Sequence, residues 1–269
     1  MTGRGNSHRD APCLFAMGGG GFTMEPDNPA LDDFVLSLAG TPEPRILFLP
    51  TASGDPTAQI TAFYGRFGRS AAATHLSLFR RHGSVRSLAD IVLEQDVVYV
   101  GGGSMHNLLA IWRAHGLDEL LSEAWRHGIV LAGLSAGAMC WFAGGITRSS
   151  GPPEPIAGLG LLPGSFTVHA DGEPERLPAW LAAVRSGELP GGWAADDGVG
   201  LLFRAARMVR VVSSRPGTAA LRVDAVGEEL VRHRIEPELL GAGEPGLGLR
   251  PVPDDVRELR ALRYGARRG

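Results

Sequence analysis

"VLAGLSAGAMCWF", Val130–Phe142, is an apolar run that narrows to Gly133-Leu134-Ser135-Ala136-Gly137 and is expected to continue as an apolar helix. Almost any turn residues can join a strand to a helix, whereas this junction keeps bulk away from a single serine. The G-x-S-x-G spacing has a mechanical basis. A strand that turns sharply into a helix holds its serine in a strained conformation with the hydroxyl projecting into a cleft, and the residues two positions away collide unless they are small. The helix N-terminus beneath the serine also offers free N–H groups to a developing oxyanion. The pentapeptide alone is a weak signal in a chain with 38 glycines; its strand–turn–helix setting gives it weight.

Outward from this point the chain alternates. "CLFAMG" (13–18), "RILFLP" (45–50), "HLSLF" (75–79), "DVVYVG" (96–101) and "IVLAGL" (129–134) are short, β-rich and stopped by Gly, Pro or polar turns, as buried strands are. Met105, Leu108, Leu109 and Trp112 keep the spacing of a helix face, as do Leu117, Leu120, Leu121 and Ala124. Asp118 and Glu119 open the second helix, where negative charge suits the helix dipole. This alternation predicts an α/β fold, a mostly parallel sheet with helices on both faces. After about residue 155 the pattern changes. "GLGLLPGSFTVH" (158–169) predicts a strand, and Leu177, Trp180, Leu181 and Val184 a helix opened by Pro174. Strands near 192–196, 199–204, 207–213 and 219–224 are close enough for antiparallel hairpins. No repeat or low-complexity linker interrupts the chain, so a single catalytic domain over 12–250 is expected, with 1–11 and 251–269 as flexible tails.

Composition narrows the function classes. A formal charge of −3 argues against a general nucleic-acid binder, which carries a basic face. All 26 basic residues are Arg, which reads as coding bias. Cys13 and Cys140 lie in apolar runs and are expected as buried free thiols, with no Cys/His spacing that suggests a metal. No apolar run reaches the ~18 residues of a membrane span, and residues 1–12 lack an apolar signal core, so a cytoplasmic location is the expectation. No cofactor is implied. A homodimer is compatible with the sequence, which names no interface.

A second glycine cluster, "VYVGGGSMHNLL" (98–109), ends the preceding strand, and Gly103 can supply a second oxyanion donor. A phosphate loop is excluded by the absence of G-x-x-x-x-G-K-[ST] and of any lysine. "MGGGGF" (17–22) lacks the glycine spacing of a dinucleotide site and reads as a mobile turn. A nucleophilic serine needs a base, and the base an orienting group. Of eight histidines, His8 lies in the expected tail, His75 at a strand start, His82 in a turn, His115 and His127 at helix ends, and His233 in a charged run. His106 is close to the glycine loop, as a substrate contact or an exposed helix-start residue. His169 ends a strand before "ADGEPER" and is the best-placed base. For the acid, "WAADDGVG" offers Asp196 and Asp197, which point to opposite sides if the strand continues; a plain Asp-Gly hairpin turn is the competing reading.

"GGGS…LL", "GLSAGA", "LLPGSFTVHADGEPER" and "AADDG", in this order, resemble the peptidase E (α-aspartyl dipeptidase) family of serine peptidases, related to cyanophycinases and, more distantly, to class I glutamine amidotransferases. The resemblance covers roughly residues 12–225 and is specific as a set of four motifs. It implies a three-layer αβα sandwich, Ser135 as nucleophile, His169 as base and Asp197 as acid, with oxyanion donors at Gly103 and Ala136. It also implies a small peptide substrate with a free N-terminal Asp, which needs a cation for its side chain and acids for its ammonium group. Glu173, Arg176, Arg148 and His106 are candidate substrate contacts, with Asp171, Glu175 and Arg215 as further charges; the bland reading of "DGEPER" is a charged first helical turn. The chain departs from the family at Ser104-Met105, where many relatives have Asn-Thr, at Arg148, where an acid is frequent, and at Ala170, where an aromatic is common. These departures bear on specificity more than on chemistry. The rival readings are a cyanophycinase-like hydrolase of β-aspartyl-arginine peptides, an amidotransferase-like or esterase activity, and a catalytically silent binding protein.

Overall fold

The computed structural model describes residues 11–79 and 86–241. Its first half supplies β1 (Cys13–Met17), α1 (Gly21–Met24), α2 (Ala30–Ser37), β2 (Arg45–Leu49), α3 (Thr57–Phe67) and β3 (Ala72–His75). There follow α4 (Leu88–Leu93), β4 (Val97–Val100), α5 (Met105–His115), α6 (Leu117–Arg126), β5 (Val130–Leu134) and the one-turn α7 (Ala136–Met139). The second half contains β6 (Phe142–Thr147), β7 (Glu154–Ala157), β8 (Leu162–Thr167), α8 (Arg176–Ser186) and β9 (Gly192–Ala195). It ends with β10 (Val199–Arg204), β11 (Arg207–Ser213), β12 (Ala220–Val226), β13 (Glu229–Ile235) and β14 (Glu238–Leu239).

The fold is α/β, with mostly parallel strands and helices on both sides, but the strands form two sheets. The first has the order β14-β11-β10-β1-β5-β4-β2-β3, and β1, β5, β4, β2 and β3 run parallel. The second has the order β13-β12-β9-β8-β6-β7, with β6, β8 and β9 parallel. Apolar side chains alternate across the first sheet as the pleat requires. Leu14, Leu47, Val98 and Leu131 face α4, α5 and α6, whereas Phe15, Phe48, Tyr99 and Ala132 face α1, α2 and α3. An aromatic junction joins the sheets: Phe142 of β6 stacks on Phe166 of β8 at 4.8 Å and meets Phe203 of β10 edge-on at 5.5 Å. Trp180 of α8 packs with Ile146, Ala194 and Val223 on the other face of the second sheet.

Several expectations are corrected. The helix after Ser135 is one turn, and Phe142 already begins a strand, because the small residues Ala136–Ala138 fit the turn while Trp141 and Phe142 are drawn into the inter-sheet core. The strand expected at 75–79 lies at 72–75 as an edge strand, its register set by pairing Ala72 to Arg45 and His75 to Phe48. Leu76 and Leu78 are buried, and this is the apolar signal that misplaced it. β9 and β10 form no hairpin: β9 pairs β12 in the second sheet while β10 pairs β1 in the first. The hairpins are β10–β11 and β12–β13. His8, His82 and the tails expected at 1–11 and 251–269, Ala11 apart, lie outside the described residues. Cys13 and Cys140 are buried and free. No helix among the described residues is long and apolar enough to cross a membrane.

Asp32 is fully buried in the core. Asp32 of α2 accepts the Tyr99 hydroxyl at 3.2 Å and faces Arg66 Nε at 3.3 Å. Burial pushes its carboxyl up to about 7, against the pull of Arg66 and the Tyr99 hydrogen bond. An unfolded Asp ionises near 3.9. Between about pH 4 and 7 the folded chain therefore holds a proton that the unfolded chain has released, and stability falls as the pH rises through that window. Asp32→Asn is expected to flatten this fall in urea denaturation series at about pH 4.5, 6 and 7.5; a variant whose pH dependence parallels wild type would contradict it.

Candidate active site

The carboxyl ends of both sets of parallel strands converge, and the candidate residues Ser135, His169 and Asp197 meet there. Ser135 caps β5, and its N–H bonds the Met17 carbonyl at 3.1 Å, continuing the β1–β5 ladder to the serine itself. Its backbone has a positive φ, at φ 53° and ψ −120°. A Cβ on Gly133 would lie 2.1 Å from the Gly137 carbonyl oxygen, and one on Gly137 would lie 2.5 Å from the Val100 carbonyl. The flanking glycines are therefore required by backbone packing on both sides of the serine. From β4, Gly102 comes alongside: its Cβ would be 3.2 Å from that of Ser135.

His169 follows β8, and Asp197 follows β9, its neighbour in the second sheet. The Ala170 N–H bonds the Ala195 carbonyl at 3.1 Å and extends that pairing to the site. His169 Nε2 lies 2.9 Å from Ser135 Oγ, and His169 Nδ1 lies 2.5 Å from Asp197 Oδ1. In the tautomer that satisfies both contacts, Nδ1–H donates to the carboxylate and Nε2 accepts the serine proton. The His169 side chain is 12% exposed and that of Asp197 20%, so the row is sheltered yet open at one edge. Among the described residues, four other than Gly have positive φ, and Ser135 and His169 are two of them. Such conformations cost about 1–3 kcal/mol each and gather at functional sites.

The adjacent carboxylates separate by partner. Asp196 Oδ2 accepts the Ala219 N–H at 2.8 Å, and its own N–H bonds the Ala219 carbonyl, so it ties β9 to the entry of β12. Burial raises its carboxyl above the usual range. Asp197 alone faces the histidine. Its N–H donates to Asp171 Oδ1 at 2.8 Å, and its carbonyl accepts Arg215 Nε at 3.0 Å.

The charged candidates also find places. Glu173 N–H bonds the His169 carbonyl at 2.9 Å, which folds the acid back toward the base. Arg148 at the end of β6 pairs with Glu173 at 3.4 Å and Glu175 at 3.7 Å, keeping 38% of its side chain exposed. Arg176 is buried; its guanidinium donates to the Ile146 carbonyl at 2.5 Å and to Glu173 at 3.0 Å, and desolvation lowers its pKa. His106 faces Glu154 at 3.3 Å and is exposed. The β6–β7 turn closes over the start of α5, where Met105 N–H bonds Ser149 Oγ at 3.1 Å. Gly103 abuts the Ala52 carbonyl, and Ser104 N–H bonds that same oxygen at 2.7 Å. Among the described residues no group of three or more His, Cys, Asp or Glu is arranged to hold a metal ion.

Sequence reasoning missed the first glycine cluster. It backs the His169–Asp197 pair: a Cβ on Gly19 would lie 2.0 Å from Asp197 Oδ1 and 3.0 Å from His169 Nδ1, and Gly198 N–H bonds the Gly19 carbonyl at 3.2 Å. Four glycines directly after a parallel strand, at the end of the sheet where ligands bind, are a signal of close backbone approach that was available in the sequence.

The fold agrees with that of solved relatives of the chain. The model of peptidase family S51 matches residues 14–211, and the chain belongs to that family: it is a peptidase. An uncharacterized peptidase of Bacillus subtilis (strain 168), YgaJ, is 46% identical over 229 residues, covering 85% of this chain and 99% of that protein. The crystal structure of a peptidase from an acI-B1 Actinobacterium superposes with a TM-score of 0.64 at 19% identity, covering 83% of this chain and 95% of that one. A putative peptidase E protein from Listeria monocytogenes EGD-e superposes with a TM-score of 0.52 at 18% identity, covering 76% of this chain and 98% of that one. At these identities the two structures speak to the fold alone.

Gly19→Ala is expected to retain the fold, since the atom it strikes is the end of a side chain that can give way. Peptidase turnover should fall by about 100-fold as Asp197 is pushed off His169. Circular dichroism and steady-state kinetics check this, and a folded variant of wild-type activity would contradict it.

Proposed function

We propose that this S51 peptidase is a serine peptidase acting on short peptides through an acyl-enzyme on Ser135, with dipeptides carrying N-terminal Asp as its substrates. The observation that carries the reading is the unbroken hydrogen-bonded row from Ser135 Oγ through the His169 ring to Asp197. As the serine oxygen attacks the peptide carbonyl carbon, its proton passes to His169 Nε2, and Asp197 stays ionised beside the imidazolium. The oxyanion rests on the N–H groups of Gly103 and Ala136, each worth about 3 kcal/mol in such sites. Their neighbours Ser104 and Ala138 are already engaged, by the Ala52 and Ser135 carbonyls. His169 then hands its proton to the leaving amine and the C–N bond breaks. Water, deprotonated by the same ring, attacks the ester, releases the carboxylate product and restores the serine.

For substrate recognition we assign Arg148 to the Asp side chain, since its side chain stays 38% exposed while reaching the turn after His169 at Glu173. Glu173 lies on that turn as a partner for the substrate ammonium. Arg176 supports Glu173 from within the core, and His106 with Glu154 forms the outer rim.

Initial rates on Asp-Leu, Asp-p-nitroanilide, β-Asp-Arg and a simple ester, wild type beside Ser135→Ala, test this. Asp-X turnover is expected to dominate and to fall by at least ~1,000-fold in the variant. Preference for β-Asp-Arg or the ester would contradict the substrate assignment, and turnover surviving in Ser135→Ala would contradict the serine mechanism.

A further inference from the structure

Asp197 lies in the three-residue connection Asp196-Asp197-Gly198 that carries the chain from β9 in one sheet to β10 in the other. No strand ladder fixes it there, and its backbone is held by two side chains instead. The N–H donates to Asp171 Oδ1 at 2.8 Å, and the carbonyl accepts Arg215 Nε at 3.0 Å. Arg215 Nη2 closes the ring on Asp171 Oδ2 at 3.1 Å. Both polar groups of a single residue are thus gripped by a pair of side chains bonded to each other. Asp171 stands two residues after His169, so the ring ties the acid's backbone to the base's own turn. Arg215 is steadied from behind. Its guanidinium lies 3.8 Å from Glu25, which accepts Ser214 Oγ at 2.6 Å, and Asn28 Nδ2 donates to the Ser214 carbonyl at 2.9 Å.

We propose that Asp171 and Arg215 are positioning residues that aim the Asp197 carboxylate at His169 Nδ1, a role that rests on the triad reading above. Their charges are spent on each other and on the acid's backbone, not on substrate. Half-exposed as it is, with side chains 38% and 43% accessible, the pair adds little to stability. Its effect lies in geometry: a misplacement of about 1 Å in a catalytic group can cost about 100-fold in rate.

Inactivation by a fluorophosphonate reads the activation of Ser135 without depending on peptide specificity. Arg215→Gln and Asp171→Asn in the full chain are expected to lower kinact by about 10- to 100-fold, with Ki within about twofold of wild type. The low-field proton resonance of His169 Nδ1 should be lost or move upfield, and Arg215→Lys, which can keep only one of the two bonds, should fall between. A raised Ki at unchanged kinact, or a reduced kinact with the His169 proton unmoved, would overturn the proposal. Wild-type inactivation in both variants, with none in Ser135→Ala, would remove the positioning role and leave the triad standing. Equal inactivation of Ser135→Ala would bring down the triad reading and the positioning role with it.

Discussion

The Gly133 Cα and the Gly137 carbonyl are so close that a methyl group between them would sit 2.1 Å from the oxygen, and the turn that presents Ser135 depends on that closeness. It lets β5 turn into α7 within one residue, and the residue at the apex takes a positive φ. The same physics recurs where Gly102 lies against Ser135 and Gly19 against Asp197. In each case the absent side chain makes room for a backbone or for a reactive group, and the strain at Ser135 and His169 is sustained by ordered sheet on either side.

The second constraint is topological. The serine belongs to one sheet and the histidine and acid to adjacent strands of another. The row depends on the relation between the two sheets, to which the Phe142–Phe166–Phe203 junction and the β9-to-β10 crossing contribute. A chain assembled this way can change its rim without moving the row, since the β6–β7 turn and the residues after His169 carry the charges while the strand ends carry Ser135, His169 and Asp197. Arg148 and Ala170 lie on such segments, and Ser104-Met105 open α5 where the β6–β7 turn closes over it.

The site was more legible in the sequence than the sheet that carries half of it. Serine between small residues, histidine at a strand end and a doubled acid before glycine are local signals, and the structure brings Ser135, His169 and Asp197 within hydrogen-bond reach. What separates Asp196 from Asp197 is Ala219, 23 residues away from the former, and no local pattern encodes that partner. β6 was hidden because "CWFAGGI" continues an apolar run that reads equally well as helix. β13, "ELVRHRI", is largely exposed on both faces, so it lacks the alternation that marks a half-buried strand. The parallel strands β1, β2, β4 and β5 are buried throughout or nearly so, and their continuous apolar runs made them plain.

The proposed function requires Ser135 to be a nucleophile activated by His169. Intact-mass and peptide mapping after treatment with a fluorophosphonate measures it most directly, on the native protein beside His169→Ala. The account predicts one adduct per chain, located on Ser135, forming at least ~1,000-fold more slowly in the variant. No adduct on folded protein, an adduct on another residue, or equal labelling without His169 would contradict it.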